Sequence, residues 1–301
     1  MKNNFLSNYD MDLSEISALF DLAKRIKNNE INLNVGNKVL GLIFDKASTR
    51  TRVSFQVAMS RLGGSTIDLN PSTTQIGRGE PIKDTARVLS KYCDILAVRT
   101  YSQADVEEYA KWSSKPIINA LTDLEHPCQA LADFLTIKEE FKTFNNIKIA
   151  YFGDGNNVAN SLILCGSILN LNINIACPKG FEPNSQIIKK AETVNNQSKI
   201  FITEDPYEAA EGANVLYTDV WSSMGQESES ETKDEIFKNY QLNKDLVSKA
   251  KEKAIILHCL PAYRGKEITD EVFESPTSRI FNQAENRLHV QQALLAHFLK
   301  K

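Results

Sequence analysis

Nine short apolar runs, separated by stretches of helical period, set the strongest limit on how this chain folds. They are KVLGLIF (38–44), STIDL (65–69), DILAVRT (94–100), KPIINAL (115–121), KIAYFG (148–153), INIACP (173–178), KIFITED (199–205), NVLYTDV (214–220) and AIILHCL (254–260). Rich in Ile and Val and without strict alternation, they have the pattern of strands buried on both faces. Helical patterns lie between them at 50–62, 81–92, 103–113, 127–142, 156–170 and 184–195. One more, at 284–300, repeats Val290, Ala293, Leu294 and Phe298 at helical spacing. Strand–helix alternation predicts parallel sheets covered by helices. At ~150 residues per domain, 301 residues predict two such α/β domains. They are expected to meet near 140–147, giving domains 1–142 and 143–283 joined by the helical stretch 127–142.

Charge and composition narrow the classes of function. Lys plus Arg is 35 and Asp plus Glu is 38, a net charge of −3, which argues against a general nucleic-acid binder with its usual basic face. No stretch approaches the ~20 apolar residues of a membrane span. The opening MKNNFLSNYDMDLSE has neither the apolar core nor the cleavage site of a signal peptide. The five cysteines are scattered without a CxxC, as expected of free thiols in a reducing cytoplasm. No cluster of metal-ligand spacing is apparent.

In parallel α/β sheets ligands bind beyond the carboxyl ends of strands, so chemistry is sought just after each apolar run. After KVLGLIF stand Ser48, Thr49, Arg50, Thr51 and Arg52, where a strand gives way to a helix. A Ser or Thr there can cap the helix, its backbone N–H groups attract anions, and arginines add bidentate donors for phosphate. The same string also suits a plain N-cap with two solvated arginines. Arg99 ends an otherwise apolar run and, if buried, needs a partner, either a ligand or an acid such as Asp94 or Asp105. His126 precedes Pro127, a residue suited to the first helical position, and Gln129 follows within the first turn. Farther on, Gly153-Asp154-Gly155 after a strand resembles a dinucleotide fingerprint. The third glycine position holds Val158, and the next strand ends in Cys177-Pro178-Lys179 with no acid for a ribose. Asp219 follows NVLYT, and Cys259 with Leu260 closes the last run; Cys259 is equally at home as a small buried residue.

The strings STRTR, HPCQ, DGNN, DVWSSMG, HCLP and AENR occur in this order at strand ends across nearly the whole chain. Together they resemble the ornithine/aspartate carbamoyltransferase family, and within it the ornithine-using branch. The resemblance implies a carbamoyl phosphate domain, an amino-acid domain, and a last helix (284–301) that returns to the first. It implies transfer of the carbamoyl group of carbamoyl phosphate to the δ-amine of L-ornithine, in arginine biosynthesis or in reverse. It further implies a homotrimer with active sites between subunits and no cofactor or metal. Ser48, Thr49, Arg50 and Thr51 would hold the phosphate. Arg99 and His126 would polarise the carbonyl, Gln129 would hold the carbamoyl nitrogen, and Arg287 would lie on the same side. Gln75 would reach a neighbouring subunit's site. Asn157, Asp219, Ser223 and Met224 would grip ornithine, with Cys259 and Leu260 beside the reacting amine and the carbamoyl group. Cys128, inside HPCQ, receives no role, and Asp45 stands where many relatives have Glu.

Three rivals are weighed against this reading. An aspartate-using relative needs cations in its second domain, where this chain places Asp219. A putrescine-using relative replaces the Ser-Met-Gly segment, which is intact at 223–225. A nicotinamide-dependent oxidoreductase is opposed by the incomplete glycine fingerprint.

Overall fold

The computed structural model describes residues 3–70, 74–194, 198–222 and 230–300. The chain forms two compact units, Met1–Ala132 with Asn286–Lys301, and Asp133–Glu285. All nine apolar runs are strands, and both sheets are parallel throughout.

The first unit contains α1 (Leu13–Lys27), β1 (Val39–Phe44), α2 (Arg50–Arg61), β2 (Ser65–Leu69) and α3 (Ile82–Tyr92). It continues with β3 (Ile95–Arg99), α4 (Gln103–Trp112), β4 (Ile117–Leu121) and the start of α5 (Pro127–Phe141). Its strand order is β2-β1-β3-β4. Every residue of β3 and β4 is buried, and Ile43, Leu96 and Val98 pack against Ala86, Val106 and Tyr109 from the covering helices. Phe5 shields the β4 edge: its N–H donates to Ile117 O at 2.9 Å and its carbonyl accepts from Asn119 N at 2.8 Å. Helix α1 is absent from the periodicity reading above. Its signal was present in Asp12 and Glu15, which form a reciprocal capping box ahead of buried Ile16, Leu19, Phe20, Ala23 and Ile26.

The second unit holds the remainder of α5, then β5 (Lys148–Phe152), α6 (Asn157–Ile168), β6 (Asn172–Ala176), α7 (Ser185–Val194) and β7 (Ile200–Thr203). It continues through α8 (Pro206–Ala210), β8 (Val215–Thr218), α9 (Ser230–Phe237), α10 (Lys244–Val247), β9 (Ile255–His258), α11 (Asp270–Phe273) and the start of α12 (Ile280–Leu299). Its strand order is β7-β6-β5-β8-β9. Helix α6 is buried from Val158 through Ile168. A Cβ on its Gly166 would come within 2.2 Å of Ile173 Cδ1, so a larger residue there requires the Ile173 side chain to move aside.

The division between the units falls inside α5, at Ala132/Asp133, ten residues before the 142/143 boundary expected from pattern. Asp133 accepts from Tyr217 Oη at 3.2 Å and from Gln283 Nε2 at 2.6 Å, which ties the rest of α5 to the second sheet. The chain crosses back inside α12, which starts at Ile280 rather than 284, and Asn286 onward belongs to the first unit. There Lys27 Nζ donates to Asn286 Oδ1 at 2.7 Å. Among the described residues no helix is long and apolar enough to cross a membrane.

Each sheet starts in its middle. From β1 the chain builds outward to β2, then returns to lay β3 on the other side; from β5 it builds β6 and β7, then returns for β8. At each reversal two neighbouring strands send their following loops in opposite directions, opening a crevice at their carboxyl ends. These two places, after β1 and β3 and after β5 and β8, carry Ser48–Thr51, Arg99, Asn157 and Asp219, while His126 and Gln129 follow β4 and Cys259 follows β9.

Candidate active site

In the first unit, Phe44 at the end of β1 pairs with Arg99 at the end of β3, and Asp45 N–H donates to Arg99 O at 2.9 Å. Helix α2 begins at once. Thr49 occupies its N-cap position with helical backbone angles and makes no side-chain bond to the helix, so it does not take up the capping role open to it. The donors of the first turn therefore remain available to an anion, with Ser48 half-buried, Thr49 exposed, Arg50 half-buried and Thr51 buried around them. The Nε of Arg50 is buried without a hydrogen-bond partner. Arg52 is not part of this group: it pairs with Asp68 and lies 5.1 Å above the Phe44 ring.

Arg99 is buried, and the β3–β4 register shifts between Val98 and Arg99, an irregularity that re-aims the strand's last side chain. A tight turn follows β4. Thr122 N–H donates to Glu125 O at 2.8 Å, Thr122 Oγ1 to Gln103 Oε1 at 2.9 Å, and Asn8 N–H to Glu125 Oε2 at 3.1 Å. The turn delivers His126 against Pro127, the first residue of α5, and Gln129 N–H donates to His126 O at 3.0 Å. From α12, Arg287 Nη1 donates to Gln129 Oε1 at 3.0 Å.

Burial, then the charges of Arg99, Arg287 and Arg50, hold the His126 imidazole well below the usual histidine range. The cluster is therefore a neutral N–H donor among three guanidinium groups, a setting for a multiply charged anion that adjoins a polarisable carbonyl. The sign for stability follows. Below a pH of about 6.5 the unfolded chain takes up a proton that folded His126 refuses, so stability falls as pH falls through that range. His126→Gln should flatten this decline by up to about 1.4 kcal/mol per pH unit, read from denaturant melts between pH 5 and 7. Cys128 next door is buried, which pushes its thiol up to about 12 and keeps it inert. Gln75 stands exposed before the short turn Ile76–Arg78 and is not among the groups that converge on His126.

The second crevice is built on one carboxylate. Asp219, buried just past β8, accepts from Asn156 Nδ2 through Oδ2 at 2.9 Å and from Cys259 Sγ through Oδ1 at 2.8 Å. Asn156 is the N-cap of α6, and its Oδ1 accepts from Val158 N at 2.9 Å and Ala159 N at 3.2 Å. Asn157, the expected ligand, is the half-buried first residue of α6, so its neighbour is the residue that sequence reasoning passed over. The signal was a Ser/Thr/Asn/Asp-type cap directly before an apolar helix. Asp154 in the same turn pairs with Lys233 Nζ at 3.2 Å; burial nevertheless raises the Asp154 pKa. Ser223 and Met224 lie outside the described residues.

Cys259 and Leu260 stand with Asp219 in the second unit, whereas Ser48 through Thr51, Arg99, His126, Gln129 and Arg287 share the first. Leu260 has φ 61°, a strained left-handed conformation for a branched side chain, and its N–H donates to His258 Nδ1 at 2.9 Å. His258 Nε2 faces Glu267 Oε1 at 3.1 Å. The donor atoms of Asp219, His258 and Cys259 lie within 4.8 Å of one another. Both nitrogens of His258 are already engaged, which disfavours a metal at this trio. Among the cysteines, Cys93, Cys128, Cys165 and Cys177 are buried and Cys259 alone is half-buried.

The second glycine after β5 serves packing. A Cβ on Gly155 would lie 2.3 Å from Pro183 N and 2.6 Å from Phe181 O, backbone atoms that cannot swing aside. Gly155 thus lets the 153–157 turn rest on residues 181–183, which accounts for a G-x-G that leads to no dinucleotide fingerprint. Gly155→Ala should destabilise the chain by about 2 kcal/mol or more, as overpacking of a rigid contact does, measured by urea denaturation.

The chain matches two family models. Residues 3–139 match the carbamoyl-P binding domain and residues 145–298 the Asp/Orn binding domain of aspartate/ornithine carbamoyltransferase. It is 68% identical over 298 residues to a protein of Prochlorococcus marinus (strain MIT 9312) named ornithine carbamoyltransferase, covering 99% of this chain and 97% of that one. A Nostoc punctiforme protein of the same name is 54% identical over 297 residues, covering 98% and 97%. Among solved structures, ornithine carbamoyltransferase from Pyrococcus furiosus superposes with a TM-score of 0.94 at 47% identity, covering 98% of this chain and 96% of that one. That from Gloeobacter violaceus gives 0.91 at 48% identity, with 99% of each chain covered.

Proposed function

The chain belongs to the aspartate/ornithine carbamoyltransferase family, and from that premise we propose that it transfers the carbamoyl group of carbamoyl phosphate to the δ-amine of L-ornithine, giving L-citrulline and phosphate. The observation that carries this reading is the opposite chemistry of its two crevices. One gathers Arg50, Arg99 and Arg287 about a neutral His126; the other centres on the Asp219 carboxylate.

The first crevice takes the dianionic donor. The phosphate rests on the N-terminus of α2 with Ser48, Thr49, Arg50 and Thr51, and Arg287 adds a further cation. Arg99 and His126 donate to the carbamoyl oxygen, and the side-chain oxygen of Gln129 accepts from the carbamoyl nitrogen. A neutral amine nitrogen attacks the carbonyl carbon, and the carbonyl electrons move onto oxygen as an oxyanion. Arg99 and His126 stabilise that charge where it develops. Collapse breaks the carbon–oxygen bond to phosphate, which leaves with the electron pair as its growing charge meets the guanidinium groups. The proton lost from the attacking nitrogen ends on the departing phosphate, which leaves as the hydrogen phosphate dianion. A neutral His126 suits this course, since its ring N–H donates to the oxyanion.

The second crevice selects the acceptor. An amine like that of lysine has a reference pKa of about 10.4 and arrives as a cation. Asp219, with Asn157, Ser223 and Met224, holds the amino-acid end of ornithine, and Cys259 and Leu260 flank the δ-amine. A dicarboxylate such as aspartate meets Asp219 as a like charge, which supports ornithine over aspartate. Assembly as a homotrimer, with Gln75 reaching a neighbour's site, belongs to the same proposal and is supported by the exposure of Gln75 on the first unit. A cytoplasmic location is supported by five cysteines that are all free.

The test supplies carbamoyl phosphate with ornithine, putrescine or aspartate and measures carbamoylated product. Ornithine should be the preferred acceptor. Absence of turnover with ornithine, or better turnover with putrescine or aspartate, overturns the reading.

A further inference from the structure

Asn156 makes contacts of two kinds with one amide. Its Oδ1 accepts from Val158 N at 2.9 Å and Ala159 N at 3.2 Å, which caps α6, and from Tyr151 Oη at 3.3 Å. Because two backbone N–H groups point at that oxygen, the orientation of the amide is fixed, and its NH2 must face the other way. There it donates to Asp219 Oδ2 at 2.9 Å. The opposite oxygen, Oδ1, takes the thiol of Cys259 at 2.8 Å. One tether per oxygen stops the carboxylate from rotating and leaves a lone pair on each oxygen for a substrate ammonium.

We propose that Asn156 is a positioning residue for the acceptor: it transmits the fixed frame of the α6 N-terminus to Asp219 and thereby sets the affinity for ornithine. The inference rests on the reading of Asp219 as an ornithine ligand. It extends that reading to a side chain that need not touch substrate.

Capping and positioning separate by substitution. Asn156→Ser keeps an oxygen that caps the helix but removes the donor to Asp219. Asn156→Asp also keeps the cap but sets a like charge against Asp219. Asn156→Ala loses both. The serine variant should hold a thermal midpoint near that of the parent while KM for ornithine rises about tenfold, the usual cost of losing a hydrogen bond to a charged group. Its kcat and its KM for carbamoyl phosphate should change little, as expected when uniform binding is lost. The aspartate variant should show a larger rise in the same constant. In crystal structures of the serine variant, the Asp219 carboxylate should leave its parental orientation. A parental KM for ornithine in both the serine and aspartate variants, or an unmoved Asp219, overturns the proposal and leaves Asn156 a helix cap. A parent that turns over no ornithine would instead overturn the functional reading, and the Asp219 orientation would still decide the role of Asn156.

Discussion

Arg99→Ala should lower kcat by about a thousandfold, the upper end of what the loss of one oxyanion donor costs in a preorganised site. Arg99 is buried, is re-aimed by the register shift at the end of β3, and stands among the charges that keep His126 neutral. Removing it takes away a fixed positive charge where the oxyanion forms. It also relieves some of the pressure against protonating His126, so the imidazole of the variant should titrate closer to the ordinary histidine range. Steady-state kinetics give the first effect, and histidine NMR across pH gives the second. The fold should persist, because neighbouring Ile95, Leu96, Ala97 and Val98 supply the strand's buried surface. Near-normal kcat would remove Arg99 from the chemistry. A collapse of the urea midpoint would make it structural.

Asp219→Asn should lower kcat/KM for ornithine by a hundredfold or more while KM for carbamoyl phosphate changes little. Asparagine keeps the size of the side chain, so neither Asn156 nor Cys259 meets a void. What disappears is the negative charge and one of the two acceptor oxygens. Truncating one partner of a buried charge pair costs roughly 2–5 kcal/mol in comparable recognition sites, which spans this range. The selectivity of the loss is the informative part: the donor side is built in the other unit from other residues. Equal losses for both substrates would argue that Asp219 serves the fold of the second unit rather than the acceptor.

Much of this arrangement could be read from the amino-acid order. Buried parallel strands have a strong signature, and all nine are where their apolar runs stand. The strand-end rule points at Ser48–Thr51, Arg99, His126 and Asp219 from the sequence alone. Periodicity was blind to other features. Apolar runs mark strands and so do not reveal helix α1, whose start is marked by Asp12 and Glu15. The unit boundary inside α5 could not be read, since a continuous helical pattern gives no sign of which sheet each turn packs on. Asp133, with its bonds to Tyr217 and Gln283, and Glu140, paired with Arg279, reveal it. Arg52 and Arg50 share one string, and nothing local says that Asp68, sixteen positions on, claims the first of them. Asn156 and Asn157 are likewise indistinguishable as letters. They differ in that one lies before the first helical turn and the other within it, which turns their amides toward different neighbours.

The distribution of thiols has a practical consequence. Four of the five cysteines are sequestered in the cores of the two units, and burial pushes Cys128 and Cys177 up to about 12. Cys259 alone is partly accessible, and it touches the carboxylate proposed to bind the acceptor. The molecule therefore carries a built-in reporter. A mild alkylating reagent should mark each folded chain once, and the rate of marking should register occupancy of the acceptor crevice without any turnover taking place.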